Sequence, residues 1–281
     1  MNHMHPVIGK VTLTVQNLER MTAFYQDILG LRIHEHLEGR TSFTADGKTV
    51  LLELIEDKKA ALRNPRTTGL FHIAFLLPER SDLADFLKHL VQIRYPLQGA
   101  SDHDVSEAIY LADPEGNGLE IYRDREPSEW RWQGDQVYMT TVALDVENLL
   151  EDASDSGWNR MPAGTLVGHI HLQVSDLAEA KEFYCDAVGF DPVLKYGSQA
   201  LFFSWHRYHH HIGLNTWNSL GQGPPAEGST GLKHYTVLFS GEEERNEAVK
   251  RLRARNAWVS EEADVIMTKD PSGIHIVLGM K

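Results

Sequence analysis

VQNLERMTAFYQDILGL at residues 15–31 returns, at a constant offset of 159, as VSDLAEAKEFYCDAVGF at residues 174–190. The two stretches share Val15/Val174, Leu18/Leu177, Phe24/Phe183, Tyr25/Tyr184, Asp27/Asp186 and Gly30/Gly189, six identities in 17 positions without a gap. Such self-similarity marks a duplicated unit. Each copy opens on a strand pattern, VTLTV at 11–15 and HIHLQV at 169–174. A polar N-cap follows, Asn17 or Asp176, and then a helix with apolar residues at helical spacing. Gly30 and Gly189 stand where a C-cap glycine stops the helix.

Working outward, GLFHIAFLL at 69–77 matches GLKHYTVLF at 231–239, and DPEGNGLEIY at 113–122 matches DPSGIHIVLG at 270–279. Between them lie helix patterns, SDLADFLKHLV and EEERNEAVKRLRAR, and then a strand. The D-P-x-G turn, with Pro at its second and Gly at its fourth position, leads into a final strand. The chain therefore reads as four modules, 7–56, 69–123, 165–217 and 231–280, each a strand, a helix and about three strands. They group as an N-terminal domain 1–123 and a C-terminal domain 165–281. Residues 124–164 connect the two, with Trp130, Trp132 and a short helix at 145–153. The expected class is α+β: four βαβββ modules, each with one apolar face, forming two paired-module open barrels with concave, ligand-sized interiors.

Composition narrows the function. With 42% hydrophobic residues in 281, the chain carries enough apolar material for a substantial core. No apolar run approaches the ~20 residues of a membrane helix, and MNHMHPVIGK has no signal-peptide pattern. A single cysteine, Cys185, excludes an internal disulfide and suits a reducing cytoplasm. A net charge of -13 argues against nucleic acid as a partner. There is no Gly-rich phosphate loop, nucleophile elbow or Cys-pair zinc motif. The 15 histidines are the unusual feature, and several fall at repeat-equivalent positions.

The motifs H-x-x-L-x-V-x-D-L at a first strand (169–177), F-Y-x-D-x-x-G-F on a helix (183–190) and D-P-x-G-x-x-L-E at a last strand (113–120) resemble the vicinal oxygen chelate superfamily. Four modules in one chain resemble its type I extradiol dioxygenases, the catechol 2,3-dioxygenases in particular. The resemblance spans nearly the whole chain except 124–164. It implies a mononuclear metal held by two His and one Glu: a His from the first strand of one module, and a His and a last-strand Glu from its partner. The first-strand positions here are Lys10, His72, His169 and His234; the last-strand carboxylate position is Glu120 in module 2 and Val277 in module 4. Many four-module relatives use modules 3 and 4, which here lack the carboxylate. Modules 2 and 3 supply a full set, His72, Glu120 and His169, a pairing also found in relatives resembling hydroquinone dioxygenases. Two His and one carboxylate leave open positions for substrate and oxygen, as iron(II) requires; manganese(II) is the alternative. The competing set is His169, His234 and His275. Lys10 marks a barrel without metal.

The resemblance further implies a catalytic His in an H-x-apolar-small-apolar pattern. His210 fits it best, with the flanking His209 and His211 as alternatives that would share the opposite strand face. A Tyr ten residues before the metal Glu is also implied. Tyr110 holds that position, whereas module 4 has Met267. His103, ahead of Tyr110, and His171, two residues from His169, are candidate substrate contacts, as are His209 and His211. Cys185 reads as packing. The reading is extradiol cleavage of a catechol with O2 to a 2-hydroxymuconate semialdehyde. Its alternatives are hydroquinone cleavage, a glyoxalase-type isomerase, or a non-catalytic aromatic or antibiotic binder. The partners expected are a small aromatic diol and O2, with no membrane. Self-association of the acidic chain through sheet edges is left open.

Overall fold

The structure is a computed structural model and describes residues 7–263 and 265–281. Positions 1–6 of the expected 1–123 unit lie outside the described residues. Module 1 comprises β1 (Ile8–Val15), α1 (Leu18–Ala23), β2 (Arg32–Leu37), β3 (Arg40–Thr44) and β4 (Val50–Glu56). Module 2 comprises β5 (Gly69–Leu76), α2 (Arg80–Gln92), β6 (Gly99–Asp102), β7 (Ser106–Ala112) and β8 (Gly118–Asp124). The connector holds β9 (Trp132–Gln133), β10 (Gln136–Val137), β11 (Val142–Ala143) and α3 (Val146–Glu151). Module 3 has β12 (Leu166–Gln173), α4 (Leu177–Lys181), β13 (Asp191–Tyr196), β14 (Ala200–Ser204) and β15 (Ile212–Asn215). Module 4 has β16 (Gly231–Phe239), α5 (Glu242–Ala254), β17 (Val259–Glu262), β18 (Val265–Lys269) and β19 (His275–Met280).

The repeated residues do the same work in both copies. Asn17 accepts from the Arg20 N–H and Asp176 from the Ala178 and Glu179 N–H groups, satisfying donors that a helix start leaves open. Both helices then widen into a π-helical turn, Phe24–Ile28 and Glu182–Val188. That turn carries the repeated tyrosine inward. Tyr25 donates to Asp113 at 2.8 Å, and Tyr184 donates to Asp270 at 3.1 Å. Each aspartate opens a D-P-x-G turn, closed by Gly116 N–H to Asp113 C=O and Gly273 N–H to Asp270 C=O. So the helix motif of modules 1 and 3 is tied to the turn motif of modules 2 and 4.

Helix α2 starts in a capping box between Glu79 and Asp82 and buries Leu83, Phe86, Leu87 and Leu90, the i, i+3, i+4, i+7 stripe that packs on a sheet. Helix α5 carries Glu242–Glu244 in its first turn and Arg251 and Arg253 in its last, both favourable to the helix dipole. Arg251 also donates to the carbonyls of Ala187 and Val188, closing the π-helical turn of module 3.

Two large sheets result, and each crosses the halves of the sequence. One has nine strands in the order β11-β6-β7-β8-β5-β12-β15-β14-β13, joining modules 2 and 3 along the antiparallel β5–β12 seam. The other has eight, β17-β18-β19-β16-β1-β4-β3-β2, joining modules 4 and 1 along β16–β1. The chain is thus α+β, with four repeated modules in two curled sheets. The helices and outer sheet faces enclose a common apolar core that includes Phe43, Phe75, Phe86, Phe203 and Phe239.

Candidate metal centre

The β5–β12 seam places three donors on one concave face. Ala74 pairs with Glu120 on the parallel strand β8 and with His169 on the antiparallel strand β12. Glu120, Ala74 and His169 therefore form one row across three strands. Cross-strand neighbours share a face, as do residues two apart on a strand, so His72 joins them. The methyl of Ala74 leaves space over which the flanking side chains converge. His72 Nε2 lies 2.9 Å from Glu120 Oε2, His169 Nε2 lies 3.2 Å from the same oxygen, and the three donor atoms fall within 4.8 Å of one another. All three residues are buried. This is the one such three-donor group among the described residues.

The cluster fits a divalent metal. His72 Nε2 approaches Glu120 without hydrogen-bond geometry and counts as a buried polar atom without a partner. A bare buried nitrogen of this kind is costly unless an electrophile takes its lone pair. Burial pushes the Glu120 carboxyl up, but His169 and then His72 outweigh it and hold it well below its usual range. Burial lowers His169 despite Glu120. A neutral imidazole and an ionised carboxylate are the forms a divalent ion binds.

The open side of the cluster faces a cavity of about 620 Å³, in which Phe71, Phe202 and Trp217 are among the apolar walls. Tyr110 pairs with Glu120 across β7–β8 and shares its face. Burial, followed by the Glu120 charge, raises its phenol well above the ordinary value. His103 Nδ1 lies 2.7 Å from the Thr140 carbonyl, which accepts only, so that nitrogen carries the proton. His103 Nε2 is then an acceptor, and the Tyr110 hydroxyl donates to it at 2.7 Å.

On the opposite wall His210 lies over His169, ring centroids 4.1 Å apart, and edge-on to Phe202. A chain stands behind it. His209 Nε2 is 2.7 Å from Asp124 Oδ1, and His209 Nδ1 is 2.8 Å from His210 Nδ1. Asp124 accepts from His209 Nε2, so a neutral His209 accepts at Nδ1 from His210 Nδ1, and His210 Nε2 then keeps a free lone pair. Burial, then the neighbouring histidines, holds His210 well below its ordinary pKa. His171 is shifted down in the same way, accepts from Asn215 Nδ2 at 3.1 Å, and lines the cavity. Its ring lies against Gly213, where a Cβ would stand 3.0 Å from it and press the ring aside by a few tenths of an ångström.

The structure brings together His72, Glu120, His169, Tyr110, His103, His171 and His210 around one cavity. His209 and His211 do not line it. The expectation of strand alternation there is corrected: residues 205–211 form a turn ahead of β15, with His206 and Arg207 at positive φ. His209 turns to Asp124, and His211 Nδ1 to Ser204 Oγ and the Trp205 N–H. The competing set does not assemble, because His234 and His275 lie in the other sheet. Five contributing residues were missed. Ala74 and Asp124 carried no motif. The connector reading overlooked Met139, Thr140 and Thr141, which line the cavity just before β11 extends its sheet.

The chain is 43% identical over 278 residues to the catechol-2,3-dioxygenase of Bacillus subtilis (strain 168), covering 98% of this chain and 97% of that one. Among solved structures it superposes on a Bacillus subtilis protein with a TM-score of 0.69 at 16% identity, covering 97% of this chain and 84% of that one. It superposes on glyoxalase I from Zea mays with a TM-score of 0.57 at 12% identity, covering 97% and 92%. Residues 7–121 and 166–278 match one family twice, and the chain belongs to it: the Glyoxalase/Bleomycin resistance protein/Dioxygenase superfamily.

Proposed function

We propose that the protein is an iron(II)-dependent extradiol dioxygenase that opens a catechol beside its two hydroxyls, adding both atoms of O2 to give a 2-hydroxymuconate semialdehyde. The buried His72–Glu120–His169 cluster, with Tyr110 and His210 on its open side, carries this reading. The full-length likeness to a catechol-2,3-dioxygenase supports it. Iron(II) held by His72, Glu120 and His169 would supply Lewis-acid and redox chemistry toward the catechol oxygens and O2.

The side chains hold and move protons. Tyr110 donates to His103, so its oxygen presents a lone pair to a catechol hydroxyl and orients it. His103 stands behind to take a proton onward. His210 Nε2, freed by the hydrogen bond at Nδ1, accepts a proton at the cavity wall and returns it to the product. Phe71, Phe202 and Trp217 exclude water from the ring. A reducing cytoplasm, which keeps iron ferrous and Cys185 free, suits this chemistry. Among the described residues no helix is long and apolar enough to cross a membrane. The halves 1–123 and 165–281 are read as duplicated units joined by 124–164.

The test is purification and iron loading without oxygen, followed by catechol and O2. A yellow ring-opened product with one O2 consumed per catechol is expected. Colourless mixtures across catechol, methylcatechols and chlorocatechols would reject it. Hydroquinone is the second substrate to assay, because modules 2 and 3 share one sheet, the pairing read from the sequence for that activity.

A further inference from the structure

The cavity over the metal centre is far larger than a bare catechol needs. At about 620 Å³ it has the size that encloses a drug-sized ligand. Its lining holds one Lys or Arg side chain, Arg63, and one carboxylate, Glu120. Glu120 belongs to the metal centre, which leaves the charge of Arg63 without a counterpart in the cavity.

Arg63 comes from the segment between modules 1 and 2, and it is positioned. Its backbone N–H donates to Thr230 Oγ1 at 3.2 Å. Its side chain lies across the first residues of β5 and β16, where a Cβ at Gly69 would stand 3.5 Å from Nη1 and one at Gly231 would stand 3.1 Å from Cδ. Both glycines have positive φ, 128° and 113°, a backbone that resists a side chain. The contact would be ordinary at Gly69 and tight at Gly231, so the arm runs close beside both strand starts. Yet Nη1 is buried and has no hydrogen-bond partner among the described residues. Asp113 is the acid whose charge favours this cation, but Asp113 is already engaged by Tyr25, Glu115 and Asn117. A guanidinium offers a planar fork of donors that matches a carboxylate.

We infer that Arg63 anchors a carboxylate on the substrate, so that the aromatic diol is a catechol bearing a short acidic arm. The inference rests on the ring-opening reading above and deepens it. Length fits. Gly69, against which Nη1 lies, is three residues from His72 on β5, on the order of 10 Å along the strand. A ring held through its hydroxyls spans roughly half of that, and an acetate or propanoate arm ending in a charge-assisted hydrogen bond spans the remainder.

The test is anaerobic titration, read by tryptophan fluorescence, so that binding is seen without turnover. The probes are 3,4-dihydroxyphenylacetate, 3-(3,4-dihydroxyphenyl)propanoate and their methyl esters, with wild-type protein, Arg63→Met and Arg63→Lys. Wild type is expected to bind at least one of the acids ten-fold or more tighter than its ester. Arg63→Met should bring that ratio close to one, and Arg63→Lys should keep part of it. Equal affinity for acid and ester in wild type overturns the inference, as does a preference that survives in Arg63→Met. If Arg63→Met does not fold, the wild-type comparison of acid with ester decides alone. Acid binding that depends on Arg63, in a protein that opens no catechol ring, upholds the subsite and removes only the oxidative reading.

Discussion

Glu53 and Glu120 occupy the same step of the repeat, and only Glu120 faces two imidazoles. Glu53 pairs with Thr12 on β1 as Glu120 pairs with Ala74 on β5, and Thr12 faces His234 across the seam as Ala74 faces His169. The second sheet thus keeps a carboxylate and a histidine in register, with two replacements. Lys10 stands for His72 and Thr12 for Ala74. Lys10 Nζ donates to Glu53 at 2.8 Å and Thr12 Oγ1 at 3.2 Å, so an ammonium and a hydroxyl satisfy the carboxylate whose counterpart in the other sheet is the proposed metal ligand.

Lys10→Met should destabilise the fold by about 1–2 kcal/mol at neutral pH, because it leaves a Glu53 side chain only 10% exposed with Arg40, 3.6 Å away, as its remaining cation. The figure is reduced because Lys10 is itself 35% exposed and screened. Burial opposes ionisation of Glu53, but Lys10 and Thr12 hold its pKa below the usual value. The stabilisation is therefore present above the unfolded carboxylate pKa and lost as pH falls through the lower folded one. Urea unfolding of wild type and variant checks this, and a difference that persists unchanged into acid would contradict it. The double variant Lys10→His/Thr12→Ala should bind a second equivalent of metal per chain, measured by elemental analysis.

Ala74→Leu should abolish metal binding without touching a ligand. The added carbons fill the space over which Glu120 and His169 converge, at an overpacking cost of about 1–3 kcal/mol. Ala74→Gly should keep the metal. Metal content beside a circular dichroism spectrum separates the two outcomes, and a metal-loaded Ala74→Leu protein would refute the row geometry.

His210→Phe should retain the metal and lose about 10²- to 10⁴-fold in kcat for ring opening, the range for a general acid–base group. Asp124→Asn should lower kcat in the same direction by less, because it acts through His209. A drop confined to KM would argue that the Asp124–His209–His210 chain only packs.

Asp270 carries a pH effect of opposite sign to that of Glu53. Burial raises its pKa to about 6, against the Ile274 and Ser272 N–H groups and the Tyr184 hydroxyl that favour the ion. A carboxyl raised in the fold contributes stability below its unfolded pKa and loses it as pH rises through about 6. Asp270→Asn should therefore gain on wild type between pH 4 and pH 8, by at most about 3 kcal/mol. Parallel unfolding curves for the two proteins across that interval would show that burial is not decisive here.

The four modules were legible because a repeat is a strong signal: the Phe-Tyr-x-Asp and Asp-Pro-x-Gly segments bond to each other, so both recur. The three donors were legible for the same reason, since equivalent strand positions meet across a seam. Residues that matter through register or space were not. Ala74 is small where a large side chain would block, which no motif expresses. Glu53 went unread because Lys10 hid the pattern it belongs to. Asp124 and Thr140 act through a second histidine and a backbone carbonyl, partners that only the folded chain brings together. His209 and His211 were assigned a strand face that the turn at 205–211 removes.

The most direct test of the central claim is metal content after iron loading without oxygen, compared across His72→Ala, Glu120→Ala, His169→Ala and His234→Ala. One equivalent of iron in wild type and in His234→Ala, and little in the other three, is the expected result. Iron retained by the first three variants and lost from His234→Ala would place the centre in the other sheet and contradict the account.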